Sequence, residues 1–200
     1  MTTPTNQKSA PTVTADHTST HWAGGQAQLT NSWCFAAAEA IVQAGFGGGT
    51  TQAEIAHIVL MARGMAQDNA QHGVDYFNAV QDLFAMNGLD DTSWASVGAL
   101  VTADQTLNGY LRNSWGTPPL TGRTYTGGGR LTADEIITTL DANGLVMSGN
   151  NIHWKVIYGY RRYSDGSVQL RVYDPWNGTA ALQPAGTVTG SMQVSYRVTA

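Results

Sequence analysis

The sequence predicts an α+β fold, in which a helical first half packs against a second half made mainly of antiparallel strands. Apolar residues recur at helical spacing before about residue 115, whereas alternating apolar and polar residues dominate after residue 145. The two patterns do not interleave as repeated βα units. With 200 residues, of which 42% are hydrophobic, the chain has the length and the apolar content of one domain with a buried core.

The N-terminal segment, residues 1–20, is rich in Thr, Ser, Pro and Ala and contains no continuous apolar stretch. This composition predicts a disordered leader and argues against a secretory signal peptide. We therefore expect a single domain over residues 21–200, with a helical half over about 21–115 and a sheet half over about 131–200.

The first predicted helix covers residues 32–44, and the glycines from Gly45 onwards end it. Its apolar residues recur at helical spacing: Phe35, Ala38, Ile41 and Val42. Three more helices are expected in the first half, over residues 51–62, 74–86 and 102–111. Residues 116–130 contain adjacent prolines and a run of glycines, which predicts a long loop.

The second half opens with a capping-box pattern, Thr132 followed by Glu135, which predicts a helix that ends near Gly144. Strands are predicted over residues 145–147, 152–163, 168–173 and 193–198. The Asp165-Gly166 pair is a tight-turn signal that joins the second and third of these strands as a hairpin. Alternation within the second strand predicts one shared face for four aromatic and apolar residues: Trp154, Val156, Tyr158 and Tyr160.

Charge and hydropathy exclude several classes of partner. Ten Lys and Arg against 14 Asp and Glu give a net charge of −4, which argues against a nucleic-acid partner. The chain has two lysines, Lys8 and Lys155, and so it has no polybasic membrane patch. Its apolar runs fall far short of the roughly 18 residues that a membrane span needs.

The single cysteine, Cys34, is the first candidate for chemistry. It falls in the first turn of the first predicted helix, where backbone N–H groups favour a thiolate, the nucleophile that acyl transfer requires. The alternative is that Cys34 is a small buried apolar residue, which is the common role of a lone cysteine.

His153 is the preferred base among five histidines, because it begins an apolar strand that fixes the direction of its side chain. His21, close to the start of the first helix, is its main rival. Surface or packing roles, or a place in the leader, are expected for the others: His17, His57 and His72.

Asp174 ends the returning strand of the hairpin that His153 begins, so both residues fall at its open end. His153 lies 12 residues before Asp165 and Asp174 lies 8 after Gly166, a mismatch that requires a bulge or a stagger. A carboxylate there can bind the far N–H of the imidazole and set its tautomer. The alternative role for Asp174 is to start the turn before Pro175.

Gln28 lies six residues before Cys34. Its side-chain amide can donate to a developing oxyanion together with the backbone N–H of Cys34, although an ordinary loop glutamine is the simpler interpretation. The sequence contains no Gly-Lys-Ser/Thr phosphate loop, no paired His/Cys spacing for zinc and no Gly-x-Ser-x-Gly nucleophile motif. We therefore expect no cofactor and no metal.

Together these motifs resemble those of papain-like cysteine peptidases. Gln28, five intervening residues and then Cys34-Phe35 is similar to the nucleophile motif of that family, which usually has Gln, five residues and Cys-Trp or Cys-Phe. His153 to Tyr160, followed by Asp174-Pro175-Trp176, resembles the His strand and the Asp/Asn-Pro-Trp turn of compact bacterial members. Those members include staphopain-like enzymes, secreted effector peptidases of plant pathogens and the peptidase domains of bacteriocin exporters. The resemblance covers roughly residues 26–198, with the middle loops unmatched.

The resemblance implies a papain-like fold, with a nucleophilic Cys34, a base in His153, an orienting Asp174 and an oxyanion-hole Gln28. It also implies a cleft between the helical half and the sheet half. The chain departs from the family in two ways: Phe35 stands where Trp is commoner, and Asp174 stands where papain has Asn. Trp176 is expected either to shield the His–Asp hydrogen bond from water or to be an ordinary core residue.

The predicted function is therefore hydrolysis of peptide bonds by a monomeric bacterial enzyme of the secreted or effector type. Its partner is a protein or peptide substrate, and an inhibitor or immunity protein is compatible with this class. Two alternatives use the same residues: a transglutaminase-like acyltransferase or deamidase, and a papain-like module that binds a partner without catalysis.

Overall fold

The computed structural model describes residues 9–29, 33–52, 55, 124–150 and 153–199. The helices predicted over residues 74–86 and 102–111 lie outside these ranges, as do His57 and His72. Of the helix predicted over residues 51–62, three residues are described: Gln52 and Ile55 are helical, and Thr51 is not.

The described part of the chain is α+β, which confirms the predicted fold class at that level. Its helices are α1 (Cys34–Gly45), α2 (Ala133–Asp141) and α3 (Ala185–Ser191). Its strands are β1 (Val13–Thr18), β2 (Thr124–Gly128), β3 (Leu145–Gly149), β4 (Trp154–Tyr163), β5 (Val168–Asp174), β6 (Thr179–Pro184) and β7 (Val194–Thr199). No helix in the described ranges is long and apolar enough to cross a membrane.

The seven strands form one sheet in the order β2-β7-β3-β4-β5-β6, and β1 also pairs with β4. The pairs between these strands are antiparallel. The long strand β4 is the centre of the arrangement: its first part pairs with β3 and its last part with β1, while β5 runs along its other edge.

Each face of the sheet carries its own buried core, because side chains alternate along a strand. The core against α1 includes Phe35, Ile41, Leu145, Met147, Trp154, Val156, Tyr158, Tyr196 and Val198. The core against α2 and α3 includes Ile136, Leu140, Val146, Ile157, Tyr160, Leu170, Val172 and Val188. The prediction that Tyr160 shares a face with Trp154 is wrong, because the β4–β5 register shifts between Ile157 and Gly159.

The capping box at the start of α2 is confirmed. The Thr132 side chain accepts from the Glu135 N–H, and the Glu135 carboxylate accepts from the Thr132 N–H at 2.8 Å. Hydrogen bonds between residues three apart in sequence therefore mark this boundary.

The disordered leader expected over residues 1–20 is wrong for its described part, because Val13–Thr18 forms β1 and pairs with β4. The strand is held by its neighbours: Asp16 forms ion pairs with Arg161 at 2.7 Å and Arg171 at 2.6 Å. Composition alone predicts disorder here, since the strand buries little of its own surface.

The long loop expected over residues 116–130 is also wrong in part, because Thr124–Gly128 forms β2 on the edge of the sheet. Gly127 lies opposite Tyr196 in this strand, and a side chain there would put its Cβ 2.7 Å from the Tyr196 ring. Strand β6 and helix α3 were not predicted from the sequence.

Candidate active site

The β4–β5 hairpin places His153 and Asp174 at its open end, as predicted. Val156 lies opposite Tyr173, so Asp174 lies opposite Lys155, and His153 lies two residues farther along the same side of the chain. A bulge lies between Ile157 and Gly159 and accounts for one residue of the mismatch. Arg162 pairs with Val168, so the turn accounts for a second residue, and a two-residue stagger accounts for the rest.

The imidazole of His153 contacts the carboxylate of Asp174, with Nε2 2.6 Å from Oδ1. The side chains of His153 and Asp174 are 18% and 21% exposed, so this hydrogen bond is largely screened from solvent. Because an ionised carboxylate only accepts, Nε2 carries a proton, and Nδ1 is the nitrogen that faces away from Asp174 and can serve as the base. The Asn150 side chain fixes the start of the strand by accepting from the His153 N–H at 2.8 Å.

Asp174 is held by three donors. Besides His153, Lys155 Nζ lies 3.0 Å from Oδ2, and the Trp176 N–H donates to Oδ1 at 3.0 Å. Burial raises the pKa of Asp174, but the hydrogen bonds from Lys155 and then His153 outweigh it, so the pKa lies below the usual range of an aspartate. The carboxylate is therefore ionised at neutral pH.

Cys34 is the first residue of α1, and it is 3% exposed. The backbone N–H of Trp154, the residue after His153, lies near enough to the sulfur to lower the pKa of the thiol, and Cys34 and Trp154 belong to one buried cluster, so α1 brings the thiol to the start of β4. Burial nevertheless raises the pKa of Cys34 from 9.0 to about 11, against the lowering by the N–H groups of Trp154, Phe35 and Cys34 itself. The sulfur is a neutral thiol at pH 7 and not the predicted thiolate, because burial outweighs the helix N-terminus.

Gln28 lies beside the turn that follows Asp174, because its backbone N–H donates to the carbonyl of Pro175 at 2.9 Å. Gln52 holds the same segment from the other side: its side chain accepts from the Leu29 N–H at 3.0 Å and donates to the Ala27 carbonyl at 2.8 Å. Sequence reasoning missed Gln52, since nothing local distinguishes it from an ordinary helical glutamine.

Aromatic packing anchors the segment that leads to Gln28. The Trp22 ring stacks on Tyr158 with 3.9 Å between centroids. Gly25 lies against the Tyr173 ring so closely that a Cβ there would be 2.1 Å from a ring carbon. The segment therefore packs on aromatic rings of β4 and β5.

Trp176 is 57% exposed, so its expected role as a core tryptophan is wrong. Its ring meets the His153 ring edge-on, with 6.5 Å between centroids and 86° between planes.

The rival histidine is excluded by its position. His21 Nδ1 lies 3.0 Å from the Gly45 carbonyl, at the end of α1 opposite to Cys34, about 16 Å away along the helix. His17 belongs to β1, and its Nε2 lies 2.8 Å from the carbonyl of Leu140 in α2. Of the described histidines, His153 is the one next in sequence to Trp154, whose N–H lies near the Cys34 sulfur and lowers its pKa.

Within the described ranges, no group of three or more His, Cys, Asp or Glu side chains could hold a metal ion. No protein-family model matches the chain, and no curated protein matches it with significant similarity.

Proposed function

We propose that this protein is a papain-like cysteine peptidase that cleaves peptide bonds with Cys34, His153 and Asp174. The observation that carries the proposal is the convergence of a thiol from α1 with the start of β4, where His153 is already paired with Asp174 at 2.6 Å. Separate elements supply a nucleophile, a base and an orienting carboxylate to one end of the sheet, which is the arrangement that acyl transfer through a thioester needs.

The raised pKa of Cys34 defines the first step. The neutral thiol attacks the peptide carbonyl while His153 Nδ1 removes its proton, so the base acts during the attack and does not form an ion pair beforehand. The negative charge that develops on the carbonyl oxygen is stabilised by the Cys34 N–H and the Gln28 side-chain amide.

Collapse of the tetrahedral intermediate completes acylation. The carbon–nitrogen bond breaks, and the His153 imidazolium donates its proton to the leaving amine. His153 then takes a proton from water, which attacks the thioester, and the carboxylic acid product leaves with the Cys34 thiol restored. Throughout, Asp174 accepts from Nε2 and stabilises the imidazolium.

The test is cleavage of casein by the unmodified protein and by variants. Cys34→Ala and His153→Gln should abolish cleavage, whereas the matched control His21→Gln should retain it, since His21 lies at the other end of α1. Gln28→Ala should reduce turnover by on the order of 10²–10³-fold, as expected for one lost oxyanion donor. Cleavage that survives Cys34→Ala would overturn the proposal.

Mass spectrometry of substrate and enzyme separates the reaction types. The proposal predicts cleaved substrate and, with an activated peptide ester, a covalent adduct on Cys34 that depends on His153. A mass gain of about one dalton on intact substrate would assign a deamidase reaction instead, because amide and acid differ by that amount.

A second candidate is a papain-like module that binds without catalysis. Burial of Cys34 favours it, because a thiol that is 3% exposed with a pKa of about 11 is a poor nucleophile unless a base assists it. This candidate predicts no adduct with the activated ester, and equal ester hydrolysis by the unmodified protein and by His153→Gln.

A further inference from the structure

The two oxygens of Asp174 have different partners. Oδ1 accepts from His153 Nε2 at 2.6 Å and from the Trp176 N–H at 3.0 Å, while Oδ2 faces Lys155 Nζ at 3.0 Å. The carboxylate is therefore held at both ends, and it cannot rotate about its own axis without losing either the imidazole or the ammonium.

The register of the hairpin places Lys155 beside Asp174. Lys155 lies directly opposite Asp174 in the β4–β5 pair, and His153, two residues earlier in the chain, lies on the same side. The carboxylate thus lies between an ammonium and an imidazole that belong to one stretch of chain. The Lys155 side chain is 35% exposed, so its charge acts in a partly screened environment.

We propose that Lys155 is a positioning residue and the counter-charge of Asp174 in the peptidase reaction, an inference that rests on the function proposed above. The ammonium orients the carboxylate toward His153 and offsets part of its negative charge. Asp174 therefore still accepts the hydrogen bond from His153, while the lysine–aspartate pair attracts the imidazolium less strongly than a lone carboxylate would. Without the ammonium, the carboxylate would stabilise the imidazolium more strongly than the reaction needs, which leaves less of the neutral imidazole that acts as the base, and its full charge would raise the pKa of the thiol further.

The neighbouring ionisable groups do not obscure this effect. Burial and the charge of Asp174 both raise the pKa of Tyr173 on β5, so its phenol stays neutral in the working range. Burial raises the pKa of Cys34 on α1 to about 11, and the Asp174 charge contributes to that rise.

Removing the counter-charge should therefore be visible in the acid limb of the kcat/KM profile. With Lys155→Met, the unpaired carboxylate should stabilise the imidazolium and move that limb up by about 0.5–1 pH unit, a screened single-charge effect. At pH values below the limb this corresponds to a loss of about three- to tenfold in kcat/KM. Lys155→Arg keeps the charge and should restore the profile.

A double-mutant cycle with Asp174→Asn isolates the charge pairing from a structural role. Once the carboxylate is neutral, losing Lys155 removes only the direct repulsion between the ammonium and the imidazolium, so adding Lys155→Met to Asp174→Asn should move the limb less than Lys155→Met moves it in the unmodified protein. Arg161→Met is the matched control: it removes one cation from the same strand, one that is 28% exposed and pairs with Asp16. The control should leave the limb in place.

The same shift should appear without turnover. The titration of His153, followed by NMR in a Cys34→Ser background, should move upward with Lys155→Met and should not move with Arg161→Met. If this shift is seen but casein is never cleaved, the proposed peptidase function fails and the role of Lys155 stands. If cleavage depends on Cys34 but Lys155→Met shifts neither the limb nor the titration, the inference about Lys155 is overturned and the peptidase proposal stands.

Discussion

Alkylation of Cys34 should respond to pH as a deeply buried thiol does. With a pKa of about 11, only about 10⁻⁴ of the sulfur is thiolate at pH 7, against about 10⁻² for a thiol at the reference value of 9.0. The pH dependence of the iodoacetamide rate in the folded protein should therefore continue to rise above pH 10. Because Cys34 is the single cysteine of the chain, adduct formation measured by intact mass reports on this sulfur alone.

The control is the same chain unfolded in urea, in which the rate should level off above about pH 9 because burial no longer acts. The shapes of the two profiles are compared, since limited access slows the folded protein at every pH. A folded-state rate that is already level below pH 8 would refute the reasoning, because it would mean that a thiolate forms despite burial.

Three further predictions concern stability. The folded-state pKa of Cys34 lies above its unfolded value. The neutral thiol therefore contributes up to about 3 kcal/mol to the free energy of unfolding below pH 9, and this contribution is lost as the pH rises toward 11. As a result, Cys34→Ala should flatten the fall of Tm at alkaline pH. The contribution of Asp174 depends on pH in the opposite direction. Its folded-state pKa is lowered, so its stabilisation is present above pH 3.8 and is lost as the pH falls. Asp174→Asn should therefore weaken the dependence of the free energy of unfolding on acid pH, measured by chemical denaturation. Gly25→Ala should cost about 1–3 kcal/mol in urea unfolding, because its Cβ would overlap the Tyr173 ring; unchanged stability would show that the segment lies elsewhere.

Elements with local signals were predictable from the sequence. The helix that Thr132 caps and the hairpin turn at Asp165-Gly166 depend on chemistry within a few residues, and both are present. The placement of His153 and Asp174 at one end of that hairpin follows from the same local turn.

Features that depend on distant contacts were not predictable. Strand β1 exists because Asp16 meets two arginines that lie more than 140 positions later in the chain, and no composition rule includes such partners. Lys155 was missed because its position opposite Asp174 depends on the bulge after Ile157, whose location the residue count leaves open. The protonation of Cys34 was wrong for a related reason: the helix N-terminus is local, but the burial that outweighs it comes from the packed sheet.

The shared edge of β4 has a practical consequence for anyone shortening the chain. A deletion up to residue 18 would remove β1 and uncover the backbone groups of β4 between Gly159 and Tyr163, in the middle of the sheet. Such an exposed ladder can recruit a strand from another molecule, and the arginines that Asp16 neutralises would remain there unpaired. Trimmed versions should therefore self-associate, whereas versions that begin before Val13 should not.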